Sequence, residues 1–470
     1  MSSAAPPAAP IGLSLPATLR LGLFQGCLGC LAVIFAGLLN RVMISELAFP
    51  GLLVGGALAF EQFVAPSRIW FGQMSDARPI GGRHRLPYIW LGTLLFCGLA
   101  VLSVPLIFHV ATLLREGSRP SLFGGIAALC GLFAAYGLAV SLATTPYLAL
   151  VIDRTTEEER PRAVGLIWCL LTVGIVVGAI AISVSLRGLD GVTNPAVLRE
   201  VLLAFMGRAV LVVLALTLVA TLGMEPISPS QPLSRSEHGP TLPQAWSLIT
   251  SSKQVGVFFS FLVLFTLGLF LQDPILESYG AEVFGMPIAA TASLNAVWGI
   301  GTLIGLLLAG VWIGPKLGKF SAARLGCRLI VATLGLLLLV GATGRVPLLQ
   351  GVMVLFGLAA GIATNSALVL MLDLTLPQAA GTFVGVWGLA QAISRALGKV
   401  FGGGLLDVGR ALQHHWWPSF PSPFPAYALV LSVEMLVALA ALLVLSRVNL
   451  QQFRKDTGRS LSKVLALELG

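Results

Sequence analysis

Long apolar runs separated by short polar breaks are the dominant pattern of the chain. Runs near 21–40, 52–70, 88–111, 122–150, 164–186 and 208–224 come first; runs near 255–274, 290–313, 325–343, 348–376, 380–404 and 425–446 follow. A helix that crosses a bilayer takes about 20 predominantly apolar residues, with a range of about 17–25. The apolar residues are continuous rather than alternating with polar ones, so the pattern predicts helices and not a β-barrel. The break between the two sets, Glu225 to Ser252, is rich in Pro and Ser and reads as a flexible linker. The expected organisation is a tail at 1–20, a six-helix half at 21–224, the linker at 225–252, a second six-helix half at 253–446 and a tail at 447–470.

Composition agrees with that pattern. The chain of 470 residues is 56% hydrophobic and 10% charged, with a mean hydropathy of +0.92. Soluble domains have about 25% charged residues, so a soluble enzyme, a disulfide scaffold and a disordered chain are excluded. The net charge of +9 does not indicate nucleic acid as a partner, because most of it sits in short loops where it sets orientation. Arg78, Arg83, His84 and Arg85 follow span 2; Arg154, Arg160 and Arg162 follow span 4; Lys316, Lys319 and Arg324 follow span 8. The C-terminal tail adds Arg447, Arg454, Lys455, Arg459 and Lys463. Both termini and the linker are therefore expected on the cytoplasmic side.

The halves carry a trace of repetition. ATTPYLALVIDRTTEEERPRAVG (Ala143 to Gly165) aligns with ATNSALVLMLDLTLPQAAGTFVG (Ala363 to Gly385) at a constant shift, bringing Asp153 onto Asp373 and Thr155 onto Thr375. Two six-helix halves in parallel repeat define the expected fold: an all-α integral membrane protein of the major facilitator type, with twelve transmembrane helices. The loop from Gly72 through Asp76 to Arg83 and Arg85 fits loosely the pattern that, in that superfamily, latches the halves on the cytoplasmic side. Asp76 suits a basic partner or a helix N-terminus across the seam, and the glycines let the turn tighten. A plain orienting loop is the alternative. Gly72, Asp76, Arg83, Arg85, Asp153, Arg162 and Asp373 form the candidate latch.

Polar groups at membrane depth are costly and mark functional sites by default. The first span ends with Asn40, Arg41 and Glu46; the second holds Glu61, Gln62 and Arg68. The seventh runs into Gln272, Asp273 and Pro274, where the proline is expected to kink or end the helix. Asn295 lies on the eighth span, and Gln391, Arg395 and Lys399 form one stripe along the eleventh. In the major facilitator arrangement spans 2 and 11 face each other, so Glu61 with Arg395 is one expected pair, against separate local partners for each charge. The glycines of span 11 suit close helix packing, or else room for a flat ligand. Cys27 and Cys30 form a CxxC, but on a membrane span, where small apolar packing residues are expected against redox or metal use. The five histidines show no metal-ligand spacing on a helix and no motif of enzyme chemistry is visible, so neither a metal site nor an enzyme is expected.

The stretches LNRVMISEL, APSRIWFGQMSD, RHRLPYIWLGTLL, DRTTEEERPRAVGLIW and FVGVWGLAQAISRALGKVFGGGLLD resemble the PucC-type family, the bacteriochlorophyll-delivery branch of the major facilitator superfamily. The tail VNLQQFRKDTG is similar to cyanobacterial members. The resemblance implies an assembly factor that hands chlorophyll or bacteriochlorophyll to light-harvesting or photosystem polypeptides in a thylakoid or photosynthetic inner membrane. A chlorin usually takes one axial ligand to its magnesium, and with histidine scarce in the spans that ligand is expected to be an oxygen donor, which suits hard magnesium. Asn40, Glu61, Gln62, Gln272, Asn295, Asn365 and Gln391 are the candidates, each with the alternative of bonding between helices. A proton-coupled carrier of a small solute, using Glu61 or Asp273, and a ligand-free membrane scaffold are the competing expectations.

Overall fold

A computed structural model describes residues 13–156, 159–189, 194–227, 253–373, 380–416 and 418–448, with side chains throughout except at 160–162, 164, 253, 255, 371–373 and 380–387. Most of the two tails and of the central linker lie outside the described residues, and so does the cyanobacterial-like stretch beyond Val448.

Among the described residues, nine helices are long and apolar enough to cross a membrane. They are spans 1 (Leu15–Glu46), 3 (Leu86–Glu116), 4 (Arg119–Arg154), 5 (Arg160–Ser185) and 6 (Pro195–Thr221) in the first half. Spans 8 (Ile288–Leu317), 9 (Lys319–Gly341), 10 (Val346–Asp373) and 12 (Phe424–Ser446) belong to the second. The other three predicted spans are the polar or interrupted ones. Span 2 is Gly51–Phe63 followed by Ser67–Ala77; span 7 is Lys253–Phe270 followed by Leu276–Phe284; span 11 is Ala380–Trp416.

Helix ends differ from the apolar runs where polar residues continue a helix on an exposed face. Span 1 begins at Leu15, inside the expected tail, and span 6 begins at Pro195 rather than near 208, carrying exposed Arg199, Glu200 and Arg208. Asn194 caps span 6 by accepting the Ala196 N–H at 2.9 Å.

The interruptions in spans 2 and 7 have the same cause. Proline has no N–H to offer the carbonyl four residues back. Before Pro66 the Gln62 carbonyl accepts the Ala65 N–H instead, at 3.0 Å; before Pro274 the Phe270 carbonyl accepts the Asp273 N–H at 3.2 Å. Each helix tightens into a turn and restarts. Span 1 changes character differently: its segments Ile34–Leu39 and Val42–Glu46 are π-helical, which widens the turns around Asn40 and Arg41.

In the first half span 1 packs on 5 and 6, span 4 on 2 and 3, and span 3 on 6. Six spans further on, 7 packs on 11 and 12, 10 on 8 and 9, and 9 on 12. The repeat legible around Asp153 and Asp373 is thus a repeat of packing. The halves join where span 2 meets 11 and span 5 meets 8.

Candidate functional site

The seam between the halves is sealed toward the end opposite the basic loops. Asn40 is buried and donates from Nδ2 to the Pro274 carbonyl at 2.6 Å, tying span 1 to the interruption in span 7. Arg41, next along, donates to Thr291 Oγ1 at 2.6 Å and to the Met286 carbonyl at 3.0 Å, and lies 3.5 Å from Glu46. Thr291 Oγ1 also lies 3.3 Å from Glu277 Oε2, while Asn295 donates to Glu277 Oε1 at 2.7 Å. Gly37 faces that carboxylate so closely that a Cβ would overlap it. Arg41, Glu277, Thr291 and Asn295 therefore form one network of charge-assisted bonds spanning both halves.

A second layer lies nearer the same end. Ser45 donates to Glu282 Oε1 at 3.0 Å, and Arg410 donates to both oxygens of Glu282 at 2.8 and 2.9 Å. Asp407 accepts the N–H groups of Gly51 and Leu52, each at 2.7 Å. Those N–H groups are the unpaired donors at the positive end of span 2, where a carboxylate is favoured. Ser183 of span 5 bonds the Ala289 carbonyl at the start of span 8.

The glycines of span 11 bring the backbones together. A Cβ on Gly403 would overlap the Gly51 carbonyl, one on Gly402 the Leu271 carbonyl, and one on Gly55 the Lys399 carbonyl. Close packing is what these positions do, and at them no room is left for a flat ligand.

At mid-span, polar and charged side chains of spans 2, 7 and 11 gather at the seam. Lys399 of span 11 reaches Glu61 of span 2 at 3.7 Å. The expected partner, Arg395, instead stacks its guanidinium 4.4 Å over the Phe270 ring at the span 7 interruption. Arg395 lies one helical turn before Lys399 on the same helix. Arg395 and Arg68 are exposed, while Glu61, Gln62, Asp273 and Gln391 are half-buried.

At the basic-loop end the described contacts of Arg85, Asp76, Asp153 and Ser75 form a network within the first half. Arg85 is 1% exposed. It donates from Nε to Asp153 Oδ2 at 3.0 Å and from Nη1 to Ser75 Oγ at 2.6 Å, and its other nitrogen pairs with Asp76. Asp76 therefore finds its cation nine residues along its own loop and not across the seam. Gly81 and Gly82, both with positive φ, close a two-residue turn in which Ile80 and Arg83 exchange backbone bonds. Gly72 packs beside Thr145. The side chains of Arg162 and Asp373 lie outside the described residues.

Two groups, one at each end of the bundle, escaped the sequence reading. Glu225, assigned to the linker, accepts backbone N–H groups of His84 at 2.6 Å, Arg85 at 3.0 Å and Leu86 at 2.8 Å, capping span 3. A lone acid directly after an apolar run was its only signal. Asp407 was likewise passed over, four residues beyond Gly403. Among the described residues no group of three or more His, Cys, Asp or Glu is placed to hold a metal ion.

Comparison with known proteins places this architecture. The chain is similar to the nucleoside transporter NupG (D323A mutant), with a TM-score of 0.66 at 13% identity over 92% of this chain and 99% of that one. It is similar to a bacterial homologue of the iron transporter ferroportin in its inward-facing state, with a TM-score of 0.64 at 15% identity over 93% and 99%. The fold is that of the major facilitator transporters, and the chain is an integral membrane protein. Residues 38–453 match the family described as PUCC protein, and the chain belongs to that family. Relatives from Rhodobacter capsulatus include an uncharacterized protein in the puhA-bchM intergenic region, 30% identical over 92% of this chain and 89% of its own length. Protein PucC is 29% identical over 90% of each chain. A protein named bacteriochlorophyll synthase 44.5 kDa chain is 28% identical over 89% of this chain and 94% of its own.

Proposed function

We propose that this protein is a membrane assembly factor that carries a chlorophyll-type pigment and delivers it to light-harvesting polypeptides as they insert. It acts as a carrier and not as an enzyme, in a photosynthetic membrane, with both termini on the cytoplasmic face. The observation that carries the reading is the family match over residues 38–453, with a relative whose name refers to bacteriochlorophyll.

The polar side chains at mid-span support it. Of the oxygen donors suited to magnesium, Asn40, Gln272 and Asn295 are engaged or buried: Asn40 and Asn295 donate within the seam, and Gln272 is 4% exposed. Glu61 is paired with Lys399. Gln62 and Gln391 are half-buried on spans 2 and 11 and are donors left free to meet a chlorin at the seam. The donor chemistry of these two residues thus fits the cargo.

The test is removal of the protein from a pigment-making host. Antenna polypeptides should fail to accumulate while pigment synthesis continues, and restoring the chain should restore them. Normal antenna levels without the protein would contradict the reading. The runner-up, a proton-coupled solute carrier, draws on the likeness to transporters and on the half-buried carboxylates Asp273 and Glu61 at mid-span. Proton-dependent solute uptake by vesicles holding the purified protein would favour it.

A further inference from the structure

The interruption of span 7 leaves backbone groups without partners. In an unbroken helix the Gly268 carbonyl would accept the Gln272 N–H. Here no backbone carbonyl accepts that N–H, and the Gly268 carbonyl accepts no backbone donor among the described residues. Span 12 runs antiparallel past this point. A Cβ on Gly268 would overlap Ala438, and the rings of Tyr279 and Tyr427 stand 5.5 Å apart. Between those two contacts the register sets Glu434 opposite Gln272, and the free Gln272 N–H lies beside the Glu434 carboxyl. Glu434 is 0% exposed and Gln272 is 4% exposed. Neither carboxyl oxygen of Glu434, nor Gln272 Oε1, has a hydrogen-bond partner among the described residues.

No described cation meets Glu434 in an ion pair. Of the charged groups on the helices packed around it, Lys399 pairs with Glu61 and Arg395 lies over the Phe270 ring. Asp273, next along span 7, is a second carboxylate and is half-buried. Span 9 meets span 12 near this level through Gly335, beside Met435, and brings no charge there. A carboxylate enclosed in a membrane protein is costly without a counter-charge. The unpartnered groups around this one are acceptors, apart from a single N–H. Backbone carbonyls freed where a membrane helix is broken serve as cation ligands in carriers, and hard cations take oxygen ligands. One buried carboxylate in the set matches one positive charge.

We infer that the break in span 7 is a binding site for a sodium ion, formed by the Glu434 carboxylate, Gln272 Oε1 and the Gly268 carbonyl. The ion neutralises Glu434 and ties span 12 to the interrupted turn. The same turn carries the Pro274 carbonyl that receives Asn40 across the seam, so occupancy of the site braces the joint between the halves. The site goes beyond the pigment reading and does not depend on it, since none of its ligands is among the donors assigned to a chlorin.

The experiment measures binding of radioactive sodium to the full-length protein in lipid nanodiscs, without pigment, at fixed pH and ionic strength. N-methylglucamine replaces sodium in the control. About one sodium per chain should bind, and saturating sodium should raise the melting temperature by about 3 °C or more over the control. Glu434→Gln keeps the shape and removes the charge; it should abolish both effects. Gln272→Met removes one ligand and should weaken binding at least tenfold. Binding to the unaltered protein needs no variant, so a variant that fails to fold does not protect the inference. Absence of bound sodium overturns it. An infrared band of a protonated carboxylic acid that persists in saturating sodium and is lost in Glu434→Gln also overturns it, because the site then holds a proton. Sodium binding unchanged in Glu434→Gln overturns the location, and displacement of sodium by equimolar calcium overturns the assignment of a single charge.

Discussion

Glu61 and Lys399 meet at 3.7 Å across the boundary between the two halves. The contact joins spans 2 and 11, as the facing of those helices suggests, but through the cation one turn beyond Arg395. The pair is partly shielded, with side-chain exposures of 23% and 10%. Reversing either charge should lower thermal stability, and reversing both should recover most of the loss. A coupling energy of about 1 kcal/mol is expected for a contacting pair with this much exposure. Melting of Glu61→Lys, Lys399→Glu and the double variant in detergent measures it. Recovery of Glu61→Lys by Arg395→Glu, and not by Lys399→Glu, would move the pairing to Arg395.

Arg85 is the hub of the basic-loop end. Its guanidinium holds Asp76, Asp153 and Ser75 together. Arg85→Ala leaves two carboxylates close together without the cation between them. A loss of about 3 kcal/mol is expected, the low end for a broken buried pair, because both acids keep some exposure. Arg85→Lys should recover only part, since a point charge cannot fork between two carboxylates. Equal stability of Arg85→Ala and the unaltered protein would remove this network from the account.

Glycine spacing on span 11 makes a sharp internal contrast. Gly403→Ala places a Cβ on the Gly51 carbonyl, whereas Gly388→Ala meets open space. The first should cost about 1–3 kcal/mol as spans 2 and 11 are forced apart. The second should be neutral or slightly stabilising, since alanine favours helix. Melting of the two variants side by side decides it, and equal effects would contradict the packing described here.

Asp407 caps span 2 from the opposite half, so its loss should loosen the far end of the seam specifically. Asp407→Ala is expected to cost about 1 kcal/mol, as for other helix caps, and to speed amide exchange at Gly51 and Leu52. Unchanged exchange at those two amides would show that the cap does not hold the halves together.

The spans were legible because a bilayer imposes one length and one chemistry on every crossing. The interruptions were only half legible. Pro274 follows two polar residues and was read as a break; Pro66 breaks span 2 in the same way, yet Pro105 and Pro146 sit within continuous helices. Proline removes a donor everywhere, and neighbouring packing decides whether the helix bends or ends. The polar residues of the seam, from Asn40 to Lys399, were visible as charges out of place. Their partners were not, because Arg395 and Lys399 lie one turn apart on one stripe of span 11, and the sequence does not say which of them meets Glu61. Glu225 and Asp407 were invisible for another reason: both bind backbone N–H groups, which have no side-chain signature.

The pigment-carrier reading is tested most directly by the absorption spectrum of the gently solubilised, purified protein from pigment-making cells, followed by pigment extraction. The account predicts a red chlorin band, displaced from that of free pigment and near one pigment per chain. A protein that emerges colourless from such cells, and that stays colourless when chlorin is added back, would contradict it.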